Sequence, residues 1–529
     1  MAQIKTYFRS HHWRHENFST EWRYSQCGTF WQDSAPLQQS NSLESFAKAL
    51  TLLNGFYAVM QQQPGKLLAA VDHIRSIPLF YGQRQGRVFV SDEAEWVRQQ
   101  VGDELMDDQA RQEFQLTGYV TGSDTLFPNV KQLQAGECLM VTEQSHTPKI
   151  ETRRYYRFLH TEPREYDEAL LKEELDQVAV ASIQRLIDYA GDRQIVVPLS
   201  GGYDSRLIVT LLKRLGYNNI LTFTYGVPGN KESQYSKQVA EALGLRWHFV
   251  EYSNELWRNA WQSDERWQYQ KWGSGWSSIA HVQDWLAVKL MKAQMIVDSD
   301  CIFVPGHTGD FISGGHIPQE VEFDKPTSSK ELGDAVIRKH YSLAPIHRIS
   351  SRTESEWSKR IIALAEIDEI KKGQDLANAF EKWEWQERQA KFICNSVRVY
   401  EFFGYDWWLP LWDKEFVKFW QDVPLELRNG REWYVEYVNS AYRESSSGYG
   451  INNASDKNNV LKRIKAVINS YLPFFVREKI SEIRKLKSIE NNPLCVFGRV
   501  TRSTWLRYSK LGYSQNGITA KIFLDDAHK

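Results

Sequence analysis

Short apolar runs separated by turn residues occupy the first 160 positions of the chain. Strand-forming residues fill these runs, and the regular turn signals between them predict a β-rich first domain. Near residues 164–167 the apolar period becomes that of a helix, with Leu171, Leu175 and Val178 on one face. We therefore predict a domain junction near residue 160. The predicted strands are residues 54–60, 67–72, 78–81, 88–91 and 136–141.

The next apolar run opens an alternating series of strands and helices. Such a βαβαβ series predicts an open parallel sheet, whose ligands bind at the carboxyl ends of the strands. The predicted elements are a strand at 195–199, a helix carrying Leu207, Leu211 and Leu215, a strand at 219–225, a helix at 232–243 and a strand at 246–251.

The end of the chain is locally basic. Between Asp456 and Lys487 there are nine Lys or Arg residues against three acidic ones, and apolar residues such as Val460 and Ile464 fall on one helical face. A helix packed on the body is the default interpretation; contact with an anionic membrane or a lipid-linked substrate is the alternative. We divide the chain into a first domain (1–160), a second domain (161–450) and a basic helical extension (451–529).

A glycine-rich loop joins the first strand of the series to its helix. Its sequence is Ser200-Gly201-Gly202-Tyr203-Asp204-Ser205. The glycines let the backbone approach an anion, the helix start directs free N–H groups at it, and the two serine hydroxyls add donors. Asp204 would repel a phosphate unless a cation lay between them, so it predicts Mg²⁺. The loop is not a Walker A sequence, because the lysine is missing, and a plain turn is the alternative.

Composition narrows the class of protein. A net charge of −1 over 529 residues gives no signal for nucleic acid, and five scattered cysteines suggest neither a disulfide framework nor a zinc site. No apolar run has the length of a signal peptide or a membrane span, so we expect a cytoplasmic protein. Seven tryptophans between Trp247 and Trp285 are either core material or an aromatic platform for a sugar or another flat ligand.

The loop resembles the SGGxDS pyrophosphate loop of the ATP pyrophosphatase superfamily, and residues 50 to 440 resemble the asparagine synthetase family. The resemblance implies an α/β fold in which an Ntn-hydrolase-like β-rich sandwich precedes an adenine nucleotide α-hydrolase-like (PP-loop) domain. That second domain would have a parallel sheet and a helical C-terminal part. The similar segments are residues 53–57, 70–81 and 134–137 in the glutaminase-like domain, and 304–315 and 403–413 in the synthetase domain.

The resemblance also implies where ATP and Mg²⁺ bind. Asp310 matches the family's second carboxylate for the Mg²⁺-pyrophosphate complex and would pair with Asp204. The phosphates would lie against the loop, and adenine would lie against the backbone of the neighbouring strands. The implied ATP-binding residues are Leu199, Ser200, Gly201, Gly202, Asp204, Ser205, Thr222, Phe223 and Gly306.

The first domain departs from the family pattern. Glutaminase domains of this class use the thiol of a mature N-terminal cysteine, with its own α-amine as base. Here residue 2 is Ala2, and Cys27 is internal. We therefore expect that glutamine hydrolysis is lost, that the first domain is a structural or docking module, and that the amine comes from outside or from the substrate.

A second departure concerns the proton acceptor. His307 stands where asparagine synthetases have glutamate, and Asp406 stands where β-lactam synthetases carry a glutamate partnered with a tyrosine base. A substrate amine must lose a proton before it attacks, and a histidine oriented by a carboxylate can take that proton. His307 and Asp406 are the predicted base pair; a loop hydrogen bond of His307 is the alternative. For the charge-stabilising cation the candidates are Lys457, Arg428 and Arg431.

These observations predict an ATP-dependent amide-forming ligase that adenylates a carboxylate and passes it to an amine or ammonia, with release of AMP and pyrophosphate. The motif over residues 306–316 is similar to that of asparagine synthetase-like proteins of bacterial surface-polysaccharide clusters, so the expected acid is a uronic-acid sugar. We expect no nucleic-acid partner, and a homodimer is an open alternative. Other functions left open are a lasso-peptide cyclase, a β-lactam synthetase-like enzyme, a non-catalytic nucleotide-binding scaffold and, against the neutral charge, sulfur transfer to tRNA.

Overall fold

The computed structural model describes residues 3–17, 22–144, 147–367, 369–446 and 486–527. It has the expected mixed α/β architecture, with a β-rich first part followed by a parallel sheet and a helical C-terminal part. Lys457 and almost all of the basic stretch between Asp456 and Lys487 lie outside the described residues.

The first part contains two sheets. All five predicted strands are confirmed, as β4, β5, β6, β7 and β9 below. The strands are β1 Ile4–Tyr7, β2 Arg14–Asn17, β3 Arg23–Phe30, β4 Gly55–Gln63, β5 Lys66–Val71, β6 Phe80–Arg84, β7 Arg87–Ser91, β8 Val130–Gln132, β9 Glu137–Thr142 and β10 Lys149–Arg154. The helices are α1 Ala35–Gln38, α2 Leu43–Leu50, α3 Ala94–Val101 and α4 Asp108–Thr117.

Alternation along the strands explains how these sheets pack. The six-stranded antiparallel sheet has the order β10-β9-β5-β4-β3-β2, and the four-stranded sheet has the order β1-β7-β6-β8. On β4, Ala58 and Met60 share one core with Val88 and Val90 of β7. The intervening Val59 faces the other side and packs with α2. Both faces of the larger sheet are thus covered, as the period of two along a strand requires.

The second part is built on a five-stranded parallel sheet with the order β13-β12-β11-β14-β15. The predicted βαβαβ series is confirmed within about two residues at each boundary. The strands are β11 Ile195–Pro198, β12 Ile220–Gly226, β13 Arg246–Glu251, β14 Ile302–Phe303 and β15 Asp406–Trp407. The helices are α5 Glu168–Ala190, α6 Tyr203–Arg214, α7 Lys231–Ala242, α8 Asn254–Trp261, α9 Asp264–Ser274 and α10 Trp285–Ala293.

Helices dominate the remainder of the chain. They are α11 Ser329–His340, α12 Ile346–Ile349, α13 Glu354–Ala365, α14 Gly373–Glu384, α15 Arg398–Phe402, α16 Lys414–Asp422, α17 Leu425–Arg428, α18 Glu432–Ser445, α19 Val496–Arg499, α20 Arg502–Lys510 and α21 Gln515–Ala527. A short helical turn, Phe311–Gly315, follows β14.

The end of the chain returns to both parts of the molecule. Phe523 of α21 stacks on Phe114 of α4, with ring centroids 5.6 Å apart. Gly498 of α19 lies so close to Trp257 that an added Cβ would stand 2.3 Å from the Cβ of Trp257. The described part of the extension is therefore packed against the body.

The tryptophan cluster is core material. Trp257 and Trp285 are fully buried, and Trp276 is 4 % exposed. Among the described residues, none of the seven tryptophans lines the cavity of the glycine-rich loop, so the alternative interpretation, an aromatic platform for a flat ligand, is not supported at that cavity. Over the same described stretches, no helix combines the length and apolar character needed to cross a membrane.

Candidate functional site

A cavity of about 500 Å³ opens at the carboxyl edge of the parallel sheet. The loop after β11, the ends of β12 and β14, and the start of α6 form its walls. Asp204, His307 and Asp310 all line it, together with Arg431. Residues separated by more than 200 positions are therefore brought to the place where open parallel sheets bind ligands.

The glycine-rich loop leaves the start of α6 open. Gly202 is the residue before the helix, and no side chain caps the helix start. The Gly202 N–H donates to the Ser200 hydroxyl at 3.1 Å, and the Ser200 N–H donates to the Ser205 hydroxyl at 3.3 Å. Uncapped N–H groups at a helix start, flanked by hydroxyls, form an anion site.

Asp204 and Asp310 meet inside this cavity. The Asp310 N–H donates to Asp204 Oδ2 at 3.1 Å, and the Tyr434 hydroxyl donates to Asp204 Oδ1 at 3.0 Å. Burial, followed by the charge of Asp310, raises the pKa of Asp204 to about 7. Two carboxylates in one cavity repel each other unless a cation lies between them.

This donor set fits Mg²⁺, which binds through one or two carboxylates plus the oxygens of substrate phosphates. Among the described residues there is no cluster of three or more His, Cys, Asp or Glu side chains that would hold a metal by itself. The protein therefore offers two carboxylates beside an anion site, and the remaining ligands would be phosphate oxygens and water.

Glycines make this approach of the two carboxylates sterically feasible. A Cβ at Gly309 would lie 2.6 Å from the Asp204 carboxyl carbon, and one at Gly306 would lie 2.5 Å from the Ser205 nitrogen. Between them, Thr308 has φ of 90°, a strained conformation for a β-branched residue. Residues 306–309 therefore adopt a backbone conformation, strained at Thr308, that allows Asp204 and Asp310 to approach each other.

His316 fixes the second carboxylate. Its Nε2 lies 3.1 Å from Asp310 Oδ2, and its Nδ1 contacts the buried Glu384. Burial alone would lower the pKa of His316, but the hydrogen bonds and charges of Asp310 and Glu384 outweigh it and raise the pKa to about 9. Burial alone would raise the pKa of Asp310, but His316 lowers it. Asp310 is therefore held as an anion.

The three candidates for the charge-stabilising cation differ in their position relative to the cavity. Arg431 lines the cavity, and its charge lowers the pKa of both Asp204 and Asp310. Arg428 is fully buried, where it binds Glu381 at 2.5 Å and the Ile312 carbonyl at 3.0 Å. Arg428 is thus a structural residue, while Lys457 lies outside the described residues.

The implied adenine residues lie partly at the cavity. Leu199, Phe223 and Gly306 line it. Thr222 does not, because its hydroxyl donates to the Arg246 carbonyl at 2.8 Å. Gly201 does not line it either; a Cβ there would lie 3.1 Å from the Tyr235 side chain.

The predicted pair of His307 and Asp406 is wrong. Asp406 lies beside Ile302 at the beginning of β14, whereas His307 follows the carboxyl end of that strand. Asp406 binds Arg193 at 2.6 Å and accepts from the Tyr189 hydroxyl at 3.2 Å. The parallel register places the two residues at opposite ends of the sheet.

His307 does line the cavity, but it is a weak base. Its ring nitrogens lie 3.4 Å from the Ser396 hydroxyl. Burial, followed by the charge of His281, lowers the pKa of His307 to about 4. At neutral pH the imidazole is uncharged and has little affinity for a proton.

Several cavity residues had no clear sequence signal. His281 and Asp284 stand just before α10, Glu232 is in the first turn of α7, and Asn492 belongs to the C-terminal extension. The Val227 N–H donates to the Pro493 carbonyl at 3.1 Å, which seats the extension against the cavity wall. The His-x-x-Asp spacing of His281 and Asp284 was the one available signal.

Two family models match the chain. The model described as asparagine synthase matches residues 175–434, and the glutamine amidotransferase domain model matches residues 42–156. Together they cover both parts of the molecule and the loop, carboxylates and cavity described above. The chain belongs to the asparagine synthetase-like family.

Comparison with other proteins adds little beyond this membership. No curated protein matches the sequence at a significant level. The NH3-dependent NAD synthetase from Campylobacter jejuni is 17 % identical over 29 % of this chain and 62 % of its own, with a TM-score of 0.20. A glutamine phosphoribosylpyrophosphate amidotransferase from B. subtilis is 11 % identical over 56 % of this chain and 63 % of its own, with a TM-score of 0.19. This chain thus spans less than two thirds of the length of either protein.

Membership of the asparagine synthetase-like family supports an ATP-dependent ligase and implies ATP as the nucleotide. Of the nine ATP-binding residues that the family resemblance implies, seven line the cavity: Leu199, Ser200, Gly202, Asp204, Ser205, Phe223 and Gly306. The scaffold alternative would have been favoured if Asp204 and Asp310 pointed into separate regions, and in this asparagine synthetase-like chain they share one cavity.

Proposed function

We propose that this protein adenylates a carboxylate with ATP and transfers the acyl group to nitrogen, releasing pyrophosphate and AMP. The observation that carries this proposal is the meeting of Asp204 and Asp310 beside the uncapped start of α6. That arrangement suits a nucleotide whose pyrophosphate becomes a leaving group.

The side chains divide the work of the adenylation step. Ser200, Ser205 and the N–H groups at the start of α6 hold the phosphates. A substrate carboxylate oxygen attacks the α-phosphorus, and the bond to the β-phosphate oxygen breaks with its electron pair leaving on pyrophosphate. Arg431 offers a fixed cation near the developing charge. Mg²⁺ bound by Asp204 and Asp310 would neutralise the phosphate oxygens.

We propose a sugar carboxylate, a uronic acid of a bacterial surface polysaccharide, as the acid. Two observations support it: the similarity of residues 306–316 to the corresponding motif of such proteins, and the polar wall of the cavity. Thr224, Gln283 and Asn492 line that wall and could bind hydroxyl groups.

We propose also that the first domain does not hydrolyse glutamine. All five cysteines are buried. Burial, followed by the charges of Glu401 and Asp92, raises the pKa of Cys27 to about 12. A thiol is a nucleophile as its thiolate, so a buried cysteine of this kind is inert at neutral pH.

The test is acid-dependent exchange of labelled pyrophosphate into ATP, with glucuronate, galacturonate, aspartate and glutamate as candidate acids. We expect one acid, most strongly a uronate, to stimulate exchange. Asp204→Asn should lower the rate about 100-fold or more, while the matched surface variant Asp188→Asn should not. Wild-type exchange by Asp204→Asn would refute the proposal. Product formation with ammonium but not with glutamine would support the lack of glutaminase activity.

A further inference from the structure

A second group of ionisable side chains lines the same cavity, apart from Asp204 and Asp310. It consists of Glu232, His281 and Asp284. Arg431 is the one Arg or Lys among the described residues that line the cavity. Its charge acts on Asp204 and Asp310. The second group is therefore acidic in balance and has no permanent cation of its own on the cavity wall.

Asp284 is held as an anion in this group. The Tyr400 hydroxyl donates to Asp284 Oδ2 at 2.8 Å, and the Tyr225 hydroxyl donates to Oδ1. Burial alone would raise the pKa of Asp284, but the hydrogen bond and charge of His281, together with both tyrosines, lower it to about 2. The carboxylate is thus fixed in position and charge.

Asp284 in turn orients His281. His281 Nε2 lies 3.4 Å from Asp284 Oδ1, a long contact of the kind that catalytic pairs tighten when substrate binds. Because Nε2–H donates to the carboxylate, the lone pair stays on Nδ1, and the carboxylate stabilises the imidazolium that forms when Nδ1 takes a proton.

We propose that this end of the cavity is the subsite of the acceptor, a primary amine that arrives as an ammonium ion, with His281 as the catalytic base. Asp284 is the positioning residue of that base, and Glu232 supplies a second negative charge that attracts the cation. This inference rests on the proposed function, since it concerns the second half of the same reaction.

The nitrogen of the acceptor loses two protons during amide formation. The ammonium gives one proton to His281 Nδ1, and the neutral nitrogen attacks the acyl carbon of the adenylate. The carbon–oxygen bond to AMP breaks, its electron pair leaves on the phosphate oxygen, and the new amide nitrogen loses its second proton to water. An alkylamine with a pKa near that of lysine, about 10.4, is protonated at neutral pH and needs this help.

The experiment uses two nucleophiles that differ in this need. Hydroxylamine is uncharged at neutral pH, whereas methylamine is a cation. The acid is whichever of glucuronate, galacturonate, aspartate and glutamate drives exchange best. His281→Asn should keep pyrophosphate exchange and hydroxamate formation within about two-fold and lower methylamide formation about 100-fold or more. The matched control is His248→Asn, on β13 and outside the cavity.

Two further variants test the roles of the carboxylates. Among the described residues, Asp284 contacts His281, and His307, Glu232, Tyr225 and Tyr400 are ionisable groups that act on one or the other member of this pair. Asp284→Asn should lower methylamide formation about ten-fold or more and leave hydroxamate formation within about two-fold, because the imidazolium loses its anionic partner. Glu232→Gln should raise KM for methylamine several-fold and leave that for hydroxylamine unchanged.

The outcomes separate this inference from the proposed function. If no acid stimulates exchange by the wild-type protein, the proposed function fails and this inference with it. If exchange is intact but His281→Asn loses hydroxamate and methylamide equally, or forms methylamide at the wild-type rate, the base assignment alone is overturned.

Discussion

Two cavities of this protein contain aspartates that resemble family site residues, and the two differ in what faces the charge. Asp204 accepts a hydrogen bond from the Asp310 N–H in the cavity at the carboxyl edge of the sheet, and the charge of Asp310 raises its pKa. Asp406 lies in a cleft of about 320 Å³ between the two parts of the chain, which Cys27, Tyr189 and Trp408 also line. There it is neutralised by Arg193.

The two cavities differ in how the negative charge of the aspartate is compensated. A carboxylate paired with arginine inside the protein has its charge satisfied, so it contributes to packing between elements. In the other cavity His316 pairs with Asp310, but Asp204 lies beside that carboxylate, an unfavourable arrangement that a bound cation relieves. The same residue type thus serves different purposes, and motif alignment alone does not separate them.

The sharpest way to test this contrast is to neutralise one aspartate in each cavity. Asp310→Asn should lower acid-dependent pyrophosphate exchange about 100-fold or more, because it removes charge at the phosphate site. Asp406→Asn should leave exchange within about two-fold. Similar losses in both variants would contradict the distinction between the cavities.

A steric change should distort the cavity that Asp204 and Asp310 line without altering its charge. The Cβ of Gly309→Ala would lie 2.6 Å from both the Asp204 carboxyl and the Tyr434 hydroxyl, so the carboxylate must move. We expect exchange to fall about 10- to 100-fold, since displacements near 1 Å are costly at reacting centres. Wild-type exchange together with a wild-type Tm would show that the close approach is unimportant.

Protonation of His307 should make the free energy of unfolding depend on pH. Its pKa is lowered from 6.5 to about 4, so as pH falls the unfolded chain takes up a proton before the folded protein does. Stability is therefore lost as pH falls from 6.5 through 4. Between about pH 7 and that lower limit, urea denaturation should show the wild type losing about 2 kcal/mol more than His307→Gln. Equal losses would contradict the depressed pKa.

Residues 492–494 form one wall of the cavity that Asp204 and Asp310 line, and a substitution at Gly498, outside the cavity, should displace them. Any side chain at Gly498 meets Trp257 and the Asn254 carbonyl, so Gly498→Leu should push residues 492–494 away from the cavity. We expect KM for ATP or the acid to rise about ten-fold, equivalent to about 1.4 kcal/mol, with kcat less affected. Ser503→Ala, on α20, is the control, and an unchanged KM would show that the wall is not part of the binding site.

The smallest effect is expected in the interdomain cleft. Arg193 and Asp406 are 27 % and 28 % exposed, so their pair should contribute about 1 kcal/mol to the free energy of unfolding. Arg193→Met should lower stability by that amount in urea denaturation and leave exchange unchanged. A loss of exchange without a loss of stability would show that Asp406 takes part in the reaction after all.

Much of the fold was predictable because it is written in local patterns. The five strands of the first part and the βαβαβ series follow from apolar periods and turn residues, and they appear within a few residues of the predicted bounds. The pairing of Asp204 with Asp310 came from family resemblance rather than from periodicity. His281 and Asp284 escaped because they lie in an irregular segment whose partners, Tyr225 and Tyr400, come from distant parts of the chain.

The element types, the order of the domains and the glycine-rich loop with its aspartate follow from the amino-acid sequence alone, because each depends on neighbouring residues. The position of Asp406 at the far end of the sheet from His307 depends on the three-dimensional fold, since strand register is set by packing across the sheet. The fold likewise places Arg431 rather than Arg428 at the cavity, and it makes the C-terminal extension a wall of that cavity. Those relations join residues far apart in the chain, and only folding fixes the distances between them.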